Sequence, residues 1–126
     1  MKHALIIEDN FLIALMIQEH LKECGYDTVD IATSQAQAIV LAEQRCPDLI
    51  TADDRLEPGS GIEAIRHICR DNAIPVIFIV ADPEHVERSL PNALLLLKPF
   101  SEAALASAIQ SAEKTPFALL MSARRD

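Results

Sequence analysis

The feature that most constrains this chain is its alternation of short apolar runs with segments of helical period. The runs are "ALIIE" at 4–8, "TVDIA" at 28–32, "LITAD" at 49–53, "PVIFIV" at 75–80 and "LLLL" at 94–97. The first and fourth are apolar almost throughout, as strands buried on both faces would be. "LLLL" is ambiguous by period, but Pro91 and Pro99 bound it too tightly for a helix. Between the runs, Asn10 stands where it would cap a helix over 11–24 that stops at Gly25. Ser34 would cap a helix to about Arg45, with Pro47 marking its exit. A third helix is expected over 62–71, a short one from Pro83 to about Ser89, and a last one, "EAALASAIQSAEK", behind Ser101. Five strands alternating with five helices predict an α/β domain: a doubly wound, five-stranded parallel sheet with helices on both faces.

A chain of 126 residues suffices for one such domain and a sizeable core. With half the residues hydrophobic but only 4% aromatic and no Trp, that core should be aliphatic. The formal net charge of −8 argues against nucleic acid as a partner, because phosphate backbones demand clustered Lys and Arg. It suits a domain that recruits cations or docks on basic surfaces. Cys24, Cys46 and Cys69 lack CxxC spacing and are odd in number. They read as reduced core or half-buried thiols of a cytoplasmic protein. No apolar stretch approaches membrane-spanning length, and no signal segment is expected before "ALIIED". His3, His20, His67 and His85 have no ligand spacing and are expected at the surface or partly buried.

In an open parallel sheet, ligands bind beyond the carboxyl ends of the strands. Those ends carry Glu8 and Asp9 after the first run, Asp53 after the third and Lys98 after the fifth. Singly, each has a bland reading: a solvated strand end, a turn residue, a surface lysine. Jointly, three acids and a lysine at one edge describe a site. Clustered carboxylates raise one another's pKa unless a cation sits among them, and hard oxygen ligands suit Mg²⁺. Such a site would turn Asp53 into a phosphoryl acceptor, with the lysine gripping the transferred oxygens. Asp54, one residue on, is expected to point elsewhere.

"IIEDN", "PDLITADDRLEPGSG", "IPVIFIVAD" and "LLLLKPF", in this order and spacing, resemble the receiver domain of bacterial two-component response regulators. The resemblance covers essentially the whole chain. It implies a flavodoxin-like sheet of strand order 2-1-3-4-5 and a phosphorelay role. Asp53 would be the phosphoacceptor, Glu8 and Asp9 the metal-binding pair, the backbone carbonyl of Arg55 a further Mg²⁺ ligand, and Lys98 the phosphoryl-binding residue. It also implies a cis Lys98–Pro99 bond. The phosphoryl donor would be a histidine kinase or a histidine phosphotransfer protein, and a downstream protein would meet the fourth helix and fifth strand.

Two positions depart from the pattern. Receivers usually carry Thr or Ser where this chain has Val80, and Tyr or Phe where it has Leu95. Both belong to the family's conformational switch, so the ordinary readout is not expected. The first helix, "FLIALMIQEHL", holds more apolar residues than one buried stripe needs. With Ile13, Ile17, Leu21 and Cys24 toward the sheet, Phe11, Leu12, Leu15 and Met16 are left over. They would pack against the last helix or, as the resemblance implies, dock a kinase around Leu12, Leu15 and Met16. Residues 1–114 are expected to form the receiver and 115–126 a short tail, "TPFALLMSARRD", too short for a DNA-binding output domain. Its "FALLM" would pack back or meet a partner. The expected role is a stand-alone phosphate sink, shuttle or adaptor that accepts phosphate without being a turnover enzyme. "LIIEDNFLIA" and "LPNALLLLKPF" also resemble receivers of general-stress signalling in alphaproteobacteria. A pseudo-receiver that never needs phosphate is a second reading. A haloacid-dehalogenase-type phosphatase is a third, although that family places its nucleophile after the first strand and an acid where Arg55 stands.

Overall fold

The computed structural model describes residues 1–122. The strands are β1 (Lys2–Ile7), β2 (Tyr26–Ala32), β3 (Leu49–Ala52), β4 (Val76–Val80) and β5 (Leu94–Leu97). The helices are α1 (Phe11–Glu23), α2 (Gln35–Gln44), α3 (Gly61–Ile68), α4 (Glu84–Ser89), α5 (Glu102–Lys114) and α6 (Phe117–Ser122). All five strands pair in parallel in the order β2-β1-β3-β4-β5, as expected.

Successive side chains of a strand point to opposite faces, so the unbroken apolar runs feed two cores. Ala4 and Ile6 of β1 with Ile77 and Ile79 of β4 join Ala14, Ile17 and Leu21 of α1 and Leu105 and Ile109 of α5. Leu5, Ile7, Phe78 and Val80 face the other way, onto Ile62 and Ile65 of α3 and Val86 of α4. The caps at Asn10, Ser34 and Ser101 lie where expected, and Ser60 adds a fourth that starts α3 at Gly61. Asn10, Ser34, Ser60 and Ser101 each accept a hydrogen bond from the backbone N–H three residues on.

Several boundaries and burials differ from expectation. β1 begins at Lys2 because Lys2 and His3 pair with the start of β2. α3 ends at Ile68 rather than residue 71, and the Asn72 side-chain amide donates to the Ile68 carbonyl at 2.9 Å. In α1 the sheet-facing stripe is Ala14, Ile17 and Leu21, with Ile13 and Cys24 only half-buried at its margins. Cys46 is exposed rather than core, while Cys24 is half-buried and Cys69 buried. His3 is buried, not a surface residue, because its ring nitrogens lie 2.8 Å from Thr28 Oγ1 and 3.1 Å from Asp30 Oδ2 of β2.

The tail packs back: the Phe117 N–H donates to the Ile74 carbonyl at 2.9 Å, and its ring meets Phe78 at 6.4 Å. Phe117 is thereby buried, and the Asn92 side chain donates to the Leu120 carbonyl at 3.3 Å. Residues 123–126 of the expected tail lie outside the described residues.

Candidate phosphoacceptor site

Parallel strands deliver their carboxyl ends to one edge, and there the predicted residues meet. The Asp53 N–H donates to the Ile7 carbonyl at 2.9 Å, which locks the end of β3 to the end of β1. The Lys98 N–H donates to the Val80 carbonyl at 2.8 Å, tying β5 to β4. One oxygen each of Glu8, Asp9 and Asp53 lies within 4.8 Å of the other two. Lys98 Nζ sits between two of these acids, 2.7 Å from Glu8 Oε1 and 3.0 Å from Asp53 Oδ2. Both X–Pro bonds beside the site, Glu57–Pro58 and Lys98–Pro99, are cis.

The acids differ in setting. Glu8 is buried: its Oε2 accepts from the Asn10 N–H at 3.1 Å, while its Oε1 is ion-paired with Lys98 Nζ at 2.7 Å without a well-aligned hydrogen bond. Burial pushes the Glu8 carboxyl up, and Asp53 adds to the rise; Lys98 and the Asn10 N–H only partly offset it. For Lys98, burial alone would lower the pKa, but bonds to Glu8 and Asp53 raise it above the usual lysine value. These two directions are consistent because one ammonium is shared. The lysine draws on two carboxylates, and each carboxylate has only part of one cation. Asp9 is exposed and free to face a metal. An all-carboxylate donor set with room for water fits Mg²⁺.

The backbone around the acceptor is clamped. The Gly61 N–H donates to the Asp54 carbonyl at 2.8 Å, and a Cβ on Gly61 would lie 1.7 Å from the Asp53 carbonyl oxygen. Only glycine allows that approach. The loop between them folds back on itself through the Arg55–Ser60 bridge.

Asp54 does point away from the acid cluster, but not into solvent. It is 7% exposed, and its Oδ2 lies 2.7 Å from Nδ1 of His85 on α4. This pair was missed in the sequence. Its signal was an acid directly after Asp53, where burial demands a partner, and a histidine in the first turn of the helix after β4. Asp53, Asp54, Arg55, Val80, Ala81, Asp82 and His85 line a cavity of about 140 Å³. Val80 forms part of its wall and is buried, and Leu95 is half-buried against the same core. On α1, Phe11, Leu12, Leu15 and Met16 are all exposed, with Leu12 at 72% and Leu15 at 40%. Met16 edges a groove between α1 and α5 that is closed by His20, Phe100 and Leu105.

A parallel five-stranded α/β fold with three acids and a lysine at the carboxyl edge defines a phosphoacceptor class of signalling domain. Residues 4–110 match the family model described as the response regulator receiver domain. The chain belongs to that family. It is 37% identical over 113 residues to the phyllosphere-induced regulator PhyR of Methylorubrum extorquens, covering 86% of this chain and 42% of that protein. The solution structure of the receiver domain of Erythrobacter litoralis PhyR superposes with a TM-score of 0.84 at 32% identity, covering 91% of this chain and 92% of that one. The crystal structure of the anti-anti-sigma factor PhyR from Bartonella quintana gives 0.74 at 36% identity, covering 89% and 46%. The chain spans about half the length of the curated relatives it matches. Among the described residues no helix is long and apolar enough to cross a membrane.

Proposed function

We propose that this receiver takes a phosphoryl group on Asp53 from a histidine kinase or histidine phosphotransfer protein. The observation that carries the reading is Lys98 Nζ held 3.0 Å from Asp53 Oδ2, at an edge where Glu8 and Asp9 converge on the same carboxylate. An Asp53 carboxylate oxygen attacks phosphorus, a P–O bond forms, and the P–N bond of phosphohistidine breaks with its electron pair on the imidazole nitrogen. Lys98 is already beside the acceptor and holds the oxygens of the arriving group, where pre-placed charge costs no reorganisation. Glu8, Asp9, Asp53 and the Arg55 carbonyl would hold Mg²⁺, which when bound neutralises negative charge on the transferring group. Glu8 fixes Lys98, and Asp9 is the acid left free for direct ligation.

Val80 and Leu95 bear on readout and not on acceptance, so the intact acid–lysine set favours a phosphorylated receiver over a pseudo-receiver. A phosphatase of the haloacid dehalogenase type is disfavoured because Asp53 follows β3 and Arg55 occupies the place of its second acid. By likeness to a protein named as an anti-anti-sigma factor, the phosphorylated domain would act by engaging another protein. Its receiving surface would be α4 and β5, where Leu97 is half exposed.

The test is to incubate the protein with Mg²⁺ and a small phosphodonor and to weigh it intact. One phosphoryl group is expected, lost entirely in Asp53→Asn and retained in Asp54→Asn. Loss in Asp54→Asn with retention in Asp53→Asn would refute the assignment. The kinase would dock on the exposed flank of α1, around Leu12, Leu15 and Met16. A charge at Leu15 or Met16 is expected to slow transfer from the cognate kinase while leaving small-donor labelling intact. Loss of both would mean that this flank supports the fold.

A further inference from the structure

The Asp54–His85 contact joins two parts of the molecule that the usual receiver switch would join by other means. Asp54 follows the acceptor directly, and its N–H donates to Asp53 Oδ1 at 2.8 Å. The other oxygen of the same carboxylate, Oδ2, takes Lys98. Whichever oxygen carries the phosphoryl group, one of these two bonds is remade and Asp54 gains a dianionic neighbour. The main chain of Asp54 cannot yield, because its carbonyl is held by Gly61, whose hydrogen stands where any Cβ would strike Asp53. The stress therefore falls on the free end of Asp54, its buried carboxylate. Among the described residues, that carboxylate has one polar partner, His85 Nδ1 at 2.7 Å, reached across 31 positions of sequence.

His85 lies in the first turn of α4, a helix of six residues whose N-cap position, Pro83, offers no side-chain cap and whose first N–H is held only by Asp82 Oδ1 at 3.1 Å. Hydrophobic anchoring of the helix rests on Val86 within it and Leu90 just beyond. The imidazole is 58% exposed, so it can move, while Asp54 opposite is 8% exposed and cannot. Val80 has no hydroxyl to draw α4 toward a phosphoryl group, and Leu95 has no ring to reposition.

We infer that the Asp54–His85 hydrogen bond carries the state of Asp53 to the first turn of α4, in place of the missing switch residues. The inference rests on Asp53 being the phosphoacceptor. Asp54 and His85 are positioning residues in it: neither side chain reacts. A modification shifts an equilibrium only through its differential interaction with the two states. Here the differing interaction is the strength and direction of one half-buried hydrogen bond, with the cavity shared by Asp53 and His85 giving the ring room to swing. Lys98, directly after β5, also meets Asp53, but its N–H is held by the Val80 carbonyl, so the β5 face is expected to stay nearly as it is.

The experiment compares amide and imidazole nitrogen resonances with and without Mg²⁺ and beryllofluoride, an acyl-phosphate mimic, in the parent, His85→Ala and His85→Asn. In the parent, shifts are expected at Asp53, Lys98 and residues 84–89, with the His85 Nδ1 resonance moving and residues 94–97 nearly still. His85→Ala should retain the shifts at Asp53 and Lys98 and lose those of residues 84–89. His85→Asn places an amide N–H near the Nδ1 position and should restore much of the response, which a merely structural ring would not. Equal shifts of residues 84–89 in the parent and His85→Ala, or a still His85 Nδ1 in the parent, would overturn the inference while leaving the acceptor role standing. Absence of shifts at Asp53 and Lys98 in the parent would overturn both.

Discussion

At the amino-terminal edge of the sheet, Tyr26 donates its hydroxyl to Glu113 at 2.6 Å, and Lys2 reaches the same oxygen at 3.2 Å while lying over the Tyr26 ring. At the carboxyl-terminal edge, Lys98 is divided between Glu8 and Asp53, with Asp9 close by. In the first contact one acid, Glu113, has two donors, and its neighbours Asp27 and Asp48 accept from the backbone N–H groups of Lys2 and His3; in the second, three acids share one cation. Their carboxyl groups respond in opposite directions. Glu113 is lowered, chiefly by the Tyr26 hydroxyl, whereas Glu8 is raised by burial. A satisfied carboxylate holds a fold together, and an under-compensated one leaves work for a ligand. The same sheet builds both, and the excess of acid marks the functional end.

The largest effect that would break this comparison concerns metal. If the carboxyl edge is short of cation, Mg²⁺ should bind there and not at the other edge. Asp9→Ala is expected to weaken Mg²⁺ binding by about tenfold or more, a loss typical of a disrupted ligand set. Glu8→Ala should cost less, because both Glu8 oxygens are already engaged by Lys98 and Asn10. Glu113→Ala should change nothing. Titration of the parent and the three variants by calorimetry checks this. Equal affinity in all four would mean that the acid cluster is not a metal site.

Next in size is stability without metal. Glu113→Gln exchanges a charged acceptor for a neutral one and is expected to destabilise by about 1 kcal/mol, the scale of one hydrogen bond. Glu8→Gln should act the other way and raise the melting temperature, since it removes a buried charge and leaves Lys98 with Asp53. Adding Mg²⁺ should shrink or reverse that gain. Thermal melts in chelator and in Mg²⁺ decide it. A Glu8→Gln protein less stable than the parent in chelator would show Lys98 to compensate the acids fully.

The two edges also differ in how far they could be read from the chain. Glu8, Asp9, Asp53 and Lys98 follow apolar runs directly, so locating the strands located the site. Ser34, Ser60 and Ser101 cap by contacts three residues away, which is local chemistry. The amino-edge bond between Tyr26 and Glu113 spans 87 positions and depends on where α5 ends over β2. His3 became buried because β1 pairs with β2 two residues earlier than its apolar run begins. Asp54–His85 needed the placement of a six-residue helix whose own sequence carries no strong period. Phe117 found the core through a backbone bond to Ile74 and a ring contact with Phe78, both distant in sequence. Contacts fixed by strand order were legible; contacts fixed by helix length and register were not.

The smallest effect is the pH dependence of the same two variants. An ordinary glutamate titrates near 4.5. Glu113 in the fold lies below that value, so its contribution is fully present above 4.5 and is lost as pH falls through the folded pKa. Glu8 in the fold lies above it. From 4.5 upward the unfolded chain has released a proton that the folded chain still holds, so stability falls as pH rises toward the folded pKa. Below 4.5 Glu8 is neutral in both states and costs nothing by charge. In chelator at pH 7, Glu113→Gln should therefore lie below the parent in stability and Glu8→Gln above it. The Glu8→Gln difference should shrink as pH falls toward 4.5 and the Glu113→Gln difference as it falls below 4.5, so the two variants should approach the parent from opposite sides and in different pH windows. Denaturant unfolding at several pH values resolves this, read as differences from the parent so that other titrating groups cancel. If both variants stayed on the same side of the parent throughout, the contrast between a satisfied edge and an acid-rich edge would not hold. The raised Glu8 would then have to be explained by something other than a shortage of cation.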